Sequence, residues 1–301
     1  MNETKEHFRS GFVAIIGRPN VGKSTLLNVY LGQKIAAVSP RSQTTRRRQL
    51  GILTTDTAQI IFVDTPGLHK PKHKLGEYMN EAAKAALEDA DVIVWIVDGS
   101  QPPQEEDLLI SGIFDSLKKK TLILAMNKID ISTEEQFALH KDAYLALQPK
   151  AIPHTISAAG GYGLGDLLAC IVDHLRGTAP LYDPEQITDL YEREIAADLI
   201  RESALIHLRD EVPHSIAVRI DEYKERSETQ TYISATILVE RESHKGITIG
   251  KNGEMIKQIG TSARQEIELM SGKRTFLDLR VKVNKNWRNN PDMLRRLGYF
   301  N

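Results

Sequence analysis

The chain of 301 residues contains one cysteine, Cys170, two tryptophans and an aromatic fraction of only 6%. A single thiol excludes an internal disulfide, and with it the small disulfide-stapled scaffolds of secreted proteins. No stretch approaches the roughly 20 consecutive apolar residues that cross a bilayer. The opening MNETKEHFRSGF lacks the apolar segment behind a basic start that marks a secretory leader. These absences lead to the expectation of a cytoplasmic protein. A strong excess of one charge is also missing, since the net charge is −1. The balance is uneven, however. Residues 241–301 carry 13 Lys/Arg against 6 Asp/Glu, a net of +7, which leaves −8 on the remainder. A basic end on an acidic body fits a polyanion partner at that end, and equally fits a solvated charged surface.

What is present is an ordinary globular composition, 41% apolar and 26% charged, over a length that favours two domains. In the first half, apolar runs at 11–16, 49–54, 58–63, 91–97, 121–126 and 151–156 read as strands. Helical patterns near 23–31, 76–88, 104–118, 134–147 and 164–175 lie between most of them. Continuous apolar strands separated by helices predict an α/β fold, a doubly wound and mostly parallel sheet covered on both faces. The pair 49–54 and 58–63 is joined too tightly for a crossover, so one antiparallel edge strand is expected. The stretch 177–190, GTAPLYDPEQITDL, breaks the pattern. We therefore expect a nucleotide domain over 1–178, a linker over 179–189 and a second, smaller α+β domain over 190–301. There a helix at 190–209, alternating strands around Ile216–Ile220 and Ile233–Val239, a helix at 253–270 and a strand at 275–283 are expected.

Gly17-Arg18-Pro19-Asn20-Val21-Gly22-Lys23-Ser24 fits G-x-x-x-x-G-K-[ST], with Thr25 following it. It follows an apolar strand and precedes a helical pattern, the context this phosphate-binding loop requires. Its glycines permit a tight turn whose N–H groups converge on phosphate oxygens, and the helix start adds its positive end. Lys23 is placed to neutralise the β- and γ-phosphates and Ser24 to bind Mg²⁺. Asp64-Thr65-Pro66-Gly67 ends the strand IIFV, where the acid can reach the metal through water and Gly67 the γ-phosphate. Asn127-Lys128-Ile129-Asp130 ends the strand LILAM. Asp130 can accept hydrogen bonds from N1–H and the 2-amino group of guanine, a donor pair that adenine lacks. Asn127 can tie the loop down, the Lys128 stem can lie over the base, and Ser157-Ala158 can present an N–H to guanine O6.

Singly these motifs are weak. In this order, each at a strand end, they resemble the translation-factor class of GTPases, near the Era, Der and MnmE group. The resemblance places switch I at Gln43-Thr44-Thr45-Arg46 and implies that Thr45 joins Ser24 and Asp64 on Mg²⁺ when GTP is bound. Leu68 stands where Ras-like switches carry a glutamine that orients the attacking water, so no catalytic residue is assigned and intrinsic hydrolysis is expected to be slow. By resemblance, Asn20 is either a K⁺ ligand or a loop-stabilising asparagine. Arg46-Arg47-Arg48 is read as a solvated charge run rather than a phosphate contact.

Ile249-Gly250-Lys251-Asn252-Gly253 precedes the helix expected at 253–270 and resembles the GXXG loop of KH domains, with Ile256 and Lys257 following. Two glycines let a phosphate backbone approach, Lys251 adds charge, and Ile249 and Ile256 can floor a groove for bases. The type II KH arrangement implies a short helix before the loop. The segment 243–249, with Gly246 and three β-branched residues, reads locally as extended instead. Asn290-Pro291 before and Gly298 after frame a last short helix. Trp287 is read as packing beneath it rather than stacking a base.

From about residue 10 to the end, the two modules resemble the Era family. That resemblance implies a monomeric GTPase using GTP/GDP and Mg²⁺, with K⁺ as a further candidate, bound to 16S rRNA near its 3′ end, assisting 30S subunit assembly and touching the inner membrane surface peripherally. Two other readings remain: a signalling switch whose KH-like module binds protein, and a metabolic enzyme with a small substrate in the second domain.

Overall fold

The computed structural model describes residues 8–38, 45–68, 70–117 and 119–300. They form two compact units. Among the described residues the first holds 8–33, 45–68, 70 and 79–189, and the second holds 34–38, 71–78 and 190–300.

The first half runs β1 Arg9–Ile16, α1 Lys23–Leu31, β2 Gln49–Thr54, β3 Ala58–Asp64, α2 Lys74–Asp89, β4 Val92–Asp98, α3 Glu105–Phe114, β5 Thr121–Asn127, α4 Glu134–Leu147, β6 Ile152–Thr155, α5 Leu164–Asp173 and the two-residue β7 Arg176–Gly177. The sheet order is β2-β3-β1-β4-β5-β6, with β7 beside β1. Every residue of β3 and β4 is buried, which is why these strands show no polar alternation: helices cover both faces. Each fully buried Ile or Val there contributes about 1.5–3 kcal/mol. β2 pairs antiparallel to β3, and the pairs β1–β3, β1–β4, β4–β5 and β5–β6 are parallel. β1 lies between β3 and β4, so the chain order reverses about it, and its carboxyl end opens on the crevice where such sheets bind ligands.

Three features were not legible beforehand. Arg176–Gly177, between the expected helix at 164–175 and the expected linker at 179–189, pairs antiparallel with Arg9 and Ser10. The stretch after it is pinned to the same unit. Gln59 Oε1 accepts from the amides of Leu181 and Tyr182, Ile52 N–H donates to Ile187 O at 2.8 Å, and Leu50 N–H to Asp189 Oδ1 at 2.9 Å. The expected helix 104–118 also stops early, at Phe114, giving way to a single 3₁₀ turn at Asp115–Leu117.

The C-terminal stretch runs α6 Glu192–His207, β8 Ala217–Ser227, β9 Gln230–Val239, α7 Glu242–Ile249, α8 Glu254–Ser271, β10 Arg274–Val283 and α9 Pro291–Arg296. Its sheet order is β10-β9-β8; the hairpin β8–β9 is antiparallel, and β9–β10 is parallel because α7 and α8 form the crossover. Leu199, Ile233, Ile237, Ile259, Ala263 and Ile267 share one core.

The extended reading of 243–249 is overturned: these residues lie in α7. Tertiary contacts override the poor local propensity. His244 and Thr248 are buried on its inner face, His244 Nδ1 meets Ser215 Oγ at 2.9 Å, and Thr248 Oγ1 donates back to His244 O at 2.7 Å. Trp287 is fully buried and donates through Nε1 to Ser215 O at 2.9 Å, so it is a packing residue. Asn290 caps α9 by accepting from Met293 N–H.

Candidate functional site

The loop leaving β1 is shaped by close backbone approach. A side chain at Gly17 would place its Cβ 2.2 Å from Ile96 O, and one at Gly22, where φ is +107°, would meet Asn127 Nδ2 at 2.3 Å. Only glycine fits either position. Gly22 is the N-cap of α1, so the helix begins at Lys23 and its first amides face the loop. Arg18 and Pro19 are half-buried, Asn20 is exposed at φ +65°, Val21 is fully buried and Thr25 is half-buried on α1.

Lys23 is 7% exposed, and its Nζ donates to Gly17 O at 3.0 Å and Arg18 O at 2.9 Å. Burial lowers its pKa to about 8, with the Asp64 charge resisting and Arg18 adding to the fall. Three oxygens converge below it. Ser24 Oγ lies 3.1 Å from Asp64 Oδ2 and 3.1 Å from Thr45 Oγ1, and Thr45 Oγ1 lies 3.0 Å from Asp64 Oδ2. Asp64 is completely buried, which raises its pKa against the pull of Lys23, Thr45 and Ser24. Its Oδ1 is buried without a hydrogen-bond partner. A carboxylate oxygen left unsatisfied beside two hydroxyls is a donor set suited to a small hard cation, and these residues fit Mg²⁺. Thr65 is buried and donates to Ile15 O at 2.9 Å. Pro66 is buried, and a Cβ at Gly67 would stand 3.1 Å from the Pro19 ring, so this loop lies against the phosphate loop. Leu68 is buried in the apolar cluster that includes Ala83 and Leu87. It cannot orient water.

The base-side motifs converge on the same loop. Asn127 Nδ2 donates to Val21 O at 2.7 Å, and Asn127 Oδ1 accepts from Ala158 N–H at 2.8 Å. One amide side chain thus ties three loops together. Ser157 N–H is engaged by Tyr162 O at 3.0 Å. The carboxylate of Asp130 is exposed and makes no hydrogen bond or ion pair among the described residues. Lys128 has left-handed backbone at φ +70°, and its Nζ lies 2.8 Å from Asp98 Oδ2.

Asp98 and Asp107 are site residues that the motif reading did not find. Burial opposes ionisation of Asp98, but hydrogen bonds from Lys128 and Ser100 outweigh it and hold the carboxyl below its usual range. Arg18 is ion-paired to Asp107 at 3.2 Å and Asp98 at 3.7 Å. The signal for Asp98 was there: like Asp64, it is an acid at the carboxyl end of an apolar strand.

Gln43 and Thr44 lie outside the described residues. The solvated reading of Arg46-Arg47-Arg48 needs correction, because Arg46 is 3% exposed while Arg48 is exposed and reaches Asp89 at 3.7 Å. An irregular segment has no fixed side-chain period, so three adjacent charges need not share one environment.

In the second unit, α7 ends at Gly250, with φ +75°, and Gly253, with φ +78°, is the N-cap of α8. A Cβ at Gly250 would fall 2.7 Å from Met255 Cβ. Lys251 and Asn252 project into solvent, Lys257 is exposed, and Ile249 and Ile256 are half-buried against the core. A cation and the first amides of an 18-residue helix thus sit at an open glycine turn.

No helix among the described residues is long and apolar enough to cross a membrane. Residues 12–128 match the family described as 50S ribosome-binding GTPase, and residues 211–288 match the KH domain family. GTPase Era of Leuconostoc citreum is 45% identical over 295 residues, 97% of each chain. GTPase Era of Caldanaerobacter subterraneus subsp. tengcongensis is 47% identical over 97% of this chain and 98% of its own. The crystal structure of Era in complex with MgGDPNP and nucleotides 1506–1542 of 16S ribosomal RNA is 42% identical, with a TM-score of 0.92 over 97% of this chain and 99% of that one. A P-loop GTPase fold followed by a KH fold, matched along nearly its whole length by these relatives, shows that the chain belongs to the GTPase Era family.

Proposed function

We propose that this chain is a GTP-controlled clamp on single-stranded 16S rRNA near its 3′ end, acting in 30S subunit assembly in the cytoplasm. The reaction is GTP + H₂O → GDP + phosphate. Lys23 exchanges its two carbonyl partners for phosphate oxygens, and Ser24, Thr45 and Asp64 hold Mg²⁺. The ion, when bound, supplies positive charge to the phosphate oxygens of the scissile bond. Asp130 takes the guanine N1–H and 2-amino donors, while Asp98 keeps the Lys128 stem in place beside the base. For the 157–158 loop to reach guanine O6, Ala158 N–H must share or release its bond to Asn127. Asn20 is a candidate K⁺ ligand, tested by comparing hydrolysis in K⁺ and Na⁺. Gly250, Lys251, Asn252 and Gly253 grip the RNA backbone, with Ile249, Ile256 and Lys257 along the groove beside them.

The observation that carries the coupling is the company kept by the switch-flanking residues. Within the second unit, Lys34 Nζ lies 2.9 Å from both Glu202 Oε1 and Glu266 Oε2, Lys74 N–H donates to Asn289 Oδ1 at 3.1 Å, and Tyr78 stacks on Phe300 at 4.0 Å. Residues leading into one switch and out of the other therefore belong to the unit that carries the RNA loop. The test is RNA affinity of the full chain loaded with GDP or with a non-hydrolysable GTP analogue. Equal affinities would refute the coupling. A peripheral membrane role draws its support from the family and the basic C-terminal residues, and flotation with anionic vesicles checks it.

A further inference from the structure

Asp107 is a buried carboxylate to which the nucleotide chemistry above gives no task. It is the third residue of α3 and is fully buried. Its Oδ2 collects three groups from three parts of the first unit. The Gln104 N–H donates to it at 3.0 Å from the start of α3, the Tyr144 hydroxyl donates at 3.1 Å from α4, and Arg18 Nε of the phosphate loop lies 3.2 Å away. Its Oδ1 is buried without a hydrogen-bond partner. Burial raises the Asp107 pKa, while the Gln104 amide and the Arg18 charge pull it down. A capping box works equally well at a surface. Burying a charge to make one is costly unless a cation is held there.

Arg18 is that cation. Its side chain is 16% exposed, and besides Asp107 its guanidinium donates to Gln101 Oε1 at 3.3 Å and lies 3.7 Å from Asp98 Oδ2. The same Asp98 oxygen holds Lys128 Nζ at 2.8 Å. The main chain of Arg18 faces the other way: its carbonyl accepts from Lys23 Nζ at 2.9 Å. Two residues on, Asn20 has φ +65°, a backbone conformation less favourable for any residue with a Cβ than for glycine. The shape of the loop is therefore imposed by what grips it. Arg18 has its head clamped between α3 and the end of β4, and its backbone against the phosphate lysine.

We infer that Asp107 is a positioning residue for GTP binding, acting through Arg18 to hold the phosphate loop in the shape its ligand needs. This role rests on the reading of residues 17–24 as the phosphate site, and it falls to a residue outside every motif. Asp98, shared by Arg18 and Lys128, carries the same brace to the base side, so one buried cluster sets both the phosphate and the guanine contacts. A loop already in its binding shape loses little freedom on meeting GTP. The brace touches neither the nucleotide nor the reacting atoms and supports ground state and transition state alike. Its loss therefore shows in KM and not in kcat.

The test is steady-state GTP hydrolysis by the full chain, with the melting temperature measured in parallel. Asp107→Asn keeps an acceptor for Gln104 and Tyr144 but removes the charge that holds Arg18. It is expected to raise KM for GTP about tenfold while kcat stays within about twofold. Arg18→Met is expected to do the same, and the double variant to be no weaker than either single one. Tyr144→Phe removes a different partner of the same oxygen; it is expected to lower the melting temperature and leave KM unchanged. Additive losses in the double variant overturn the inference. So does a loss in Asp107→Asn confined to the melting temperature, or a rise of KM in Tyr144→Phe equal to that in Asp107→Asn. Lys23→Ala is the reference for the site itself. Intact GTP binding in that variant overturns the phosphate-loop reading, whereas lost binding there beside an unchanged KM in Asp107→Asn overturns the brace alone.

Discussion

Two glycine-framed loops, 17–22 and 250–253, both run into the start of a helix, yet they are built to opposite ends. The first is enclosed. Lys23 is 7% exposed, Asp64 is fully buried, and Asn127 ties the loop to the base-side motifs. Removing water there strengthens every charge interaction and fixes every distance, which suits a small ligand recognised atom by atom. The second is open. Lys251 and Asn252 are exposed to solvent. A long polyanion can enter from the side, and its grip depends on salt because the charges remain hydrated. The same local device thus suits selection where it is buried and capture where it is open.

The sharpest break of that contrast is at Asp130. Asp130→Ala removes two charge-assisted hydrogen bonds, so GTP affinity is expected to fall roughly 10²–10⁴-fold with little change for ATP, measured by displacement of a fluorescent guanine nucleotide. On the open side, Gly253→Asp puts a carboxylate at a backbone with φ +78°; RNA affinity is expected to fall about 10- to 100-fold while GTP affinity holds, read by anisotropy across a salt series.

A pH titration probes the enclosed loop directly. With the Lys23 pKa at about 8 in the free protein, GTP affinity is expected to weaken as pH rises through that value. Stability of the nucleotide-free protein should move the other way. Between about 8 and the ordinary 10.5 the unfolded chain holds a proton that the fold does not, so stability rises with pH over that window. Calorimetric binding in buffers of different ionisation enthalpy should show proton uptake with GTP in the same range; uptake absent at pH 9 would refute the assignment. The smallest expected effect is at Lys34→Ala, where the ratio of RNA affinities in the two nucleotide states should narrow by about two- to fivefold, in keeping with a partly exposed ion pair. An unchanged ratio would remove Lys34 from the coupling.

Much of this was legible along the chain. Near-continuous apolar runs marked the parallel strands because both of their faces are covered, and the motifs fell at strand ends because the parallel topology gathers those ends. Gly17 and Gly22 were readable from motif spacing and its strand–helix flanks, Gly250 and Gly253 from resemblance to the KH loop. Asp98 and Asp107 were not picked out, since an isolated acid has no motif until Arg18 and Lys128 are seen beside it. The α7 helix was misread locally because the contacts that hold it, His244 on Ser215 among them, come from nearly 30 residues away.

The order of motifs and the period of apolar residues settled the fold class, the nucleotide loop and the glycine turn of the RNA module, because each depends on neighbours a few residues apart. Tertiary structure decided the rest: that Arg46 is buried and Arg48 is not, that residues 181–189 are pinned along β2 and β3, that Lys34 sits between Glu202 and Glu266, and that Phe276 stays in solvent while Trp287 does not. Burial and pairing depend on which distant side chains arrive beside a residue, and no local pattern encodes that arrival.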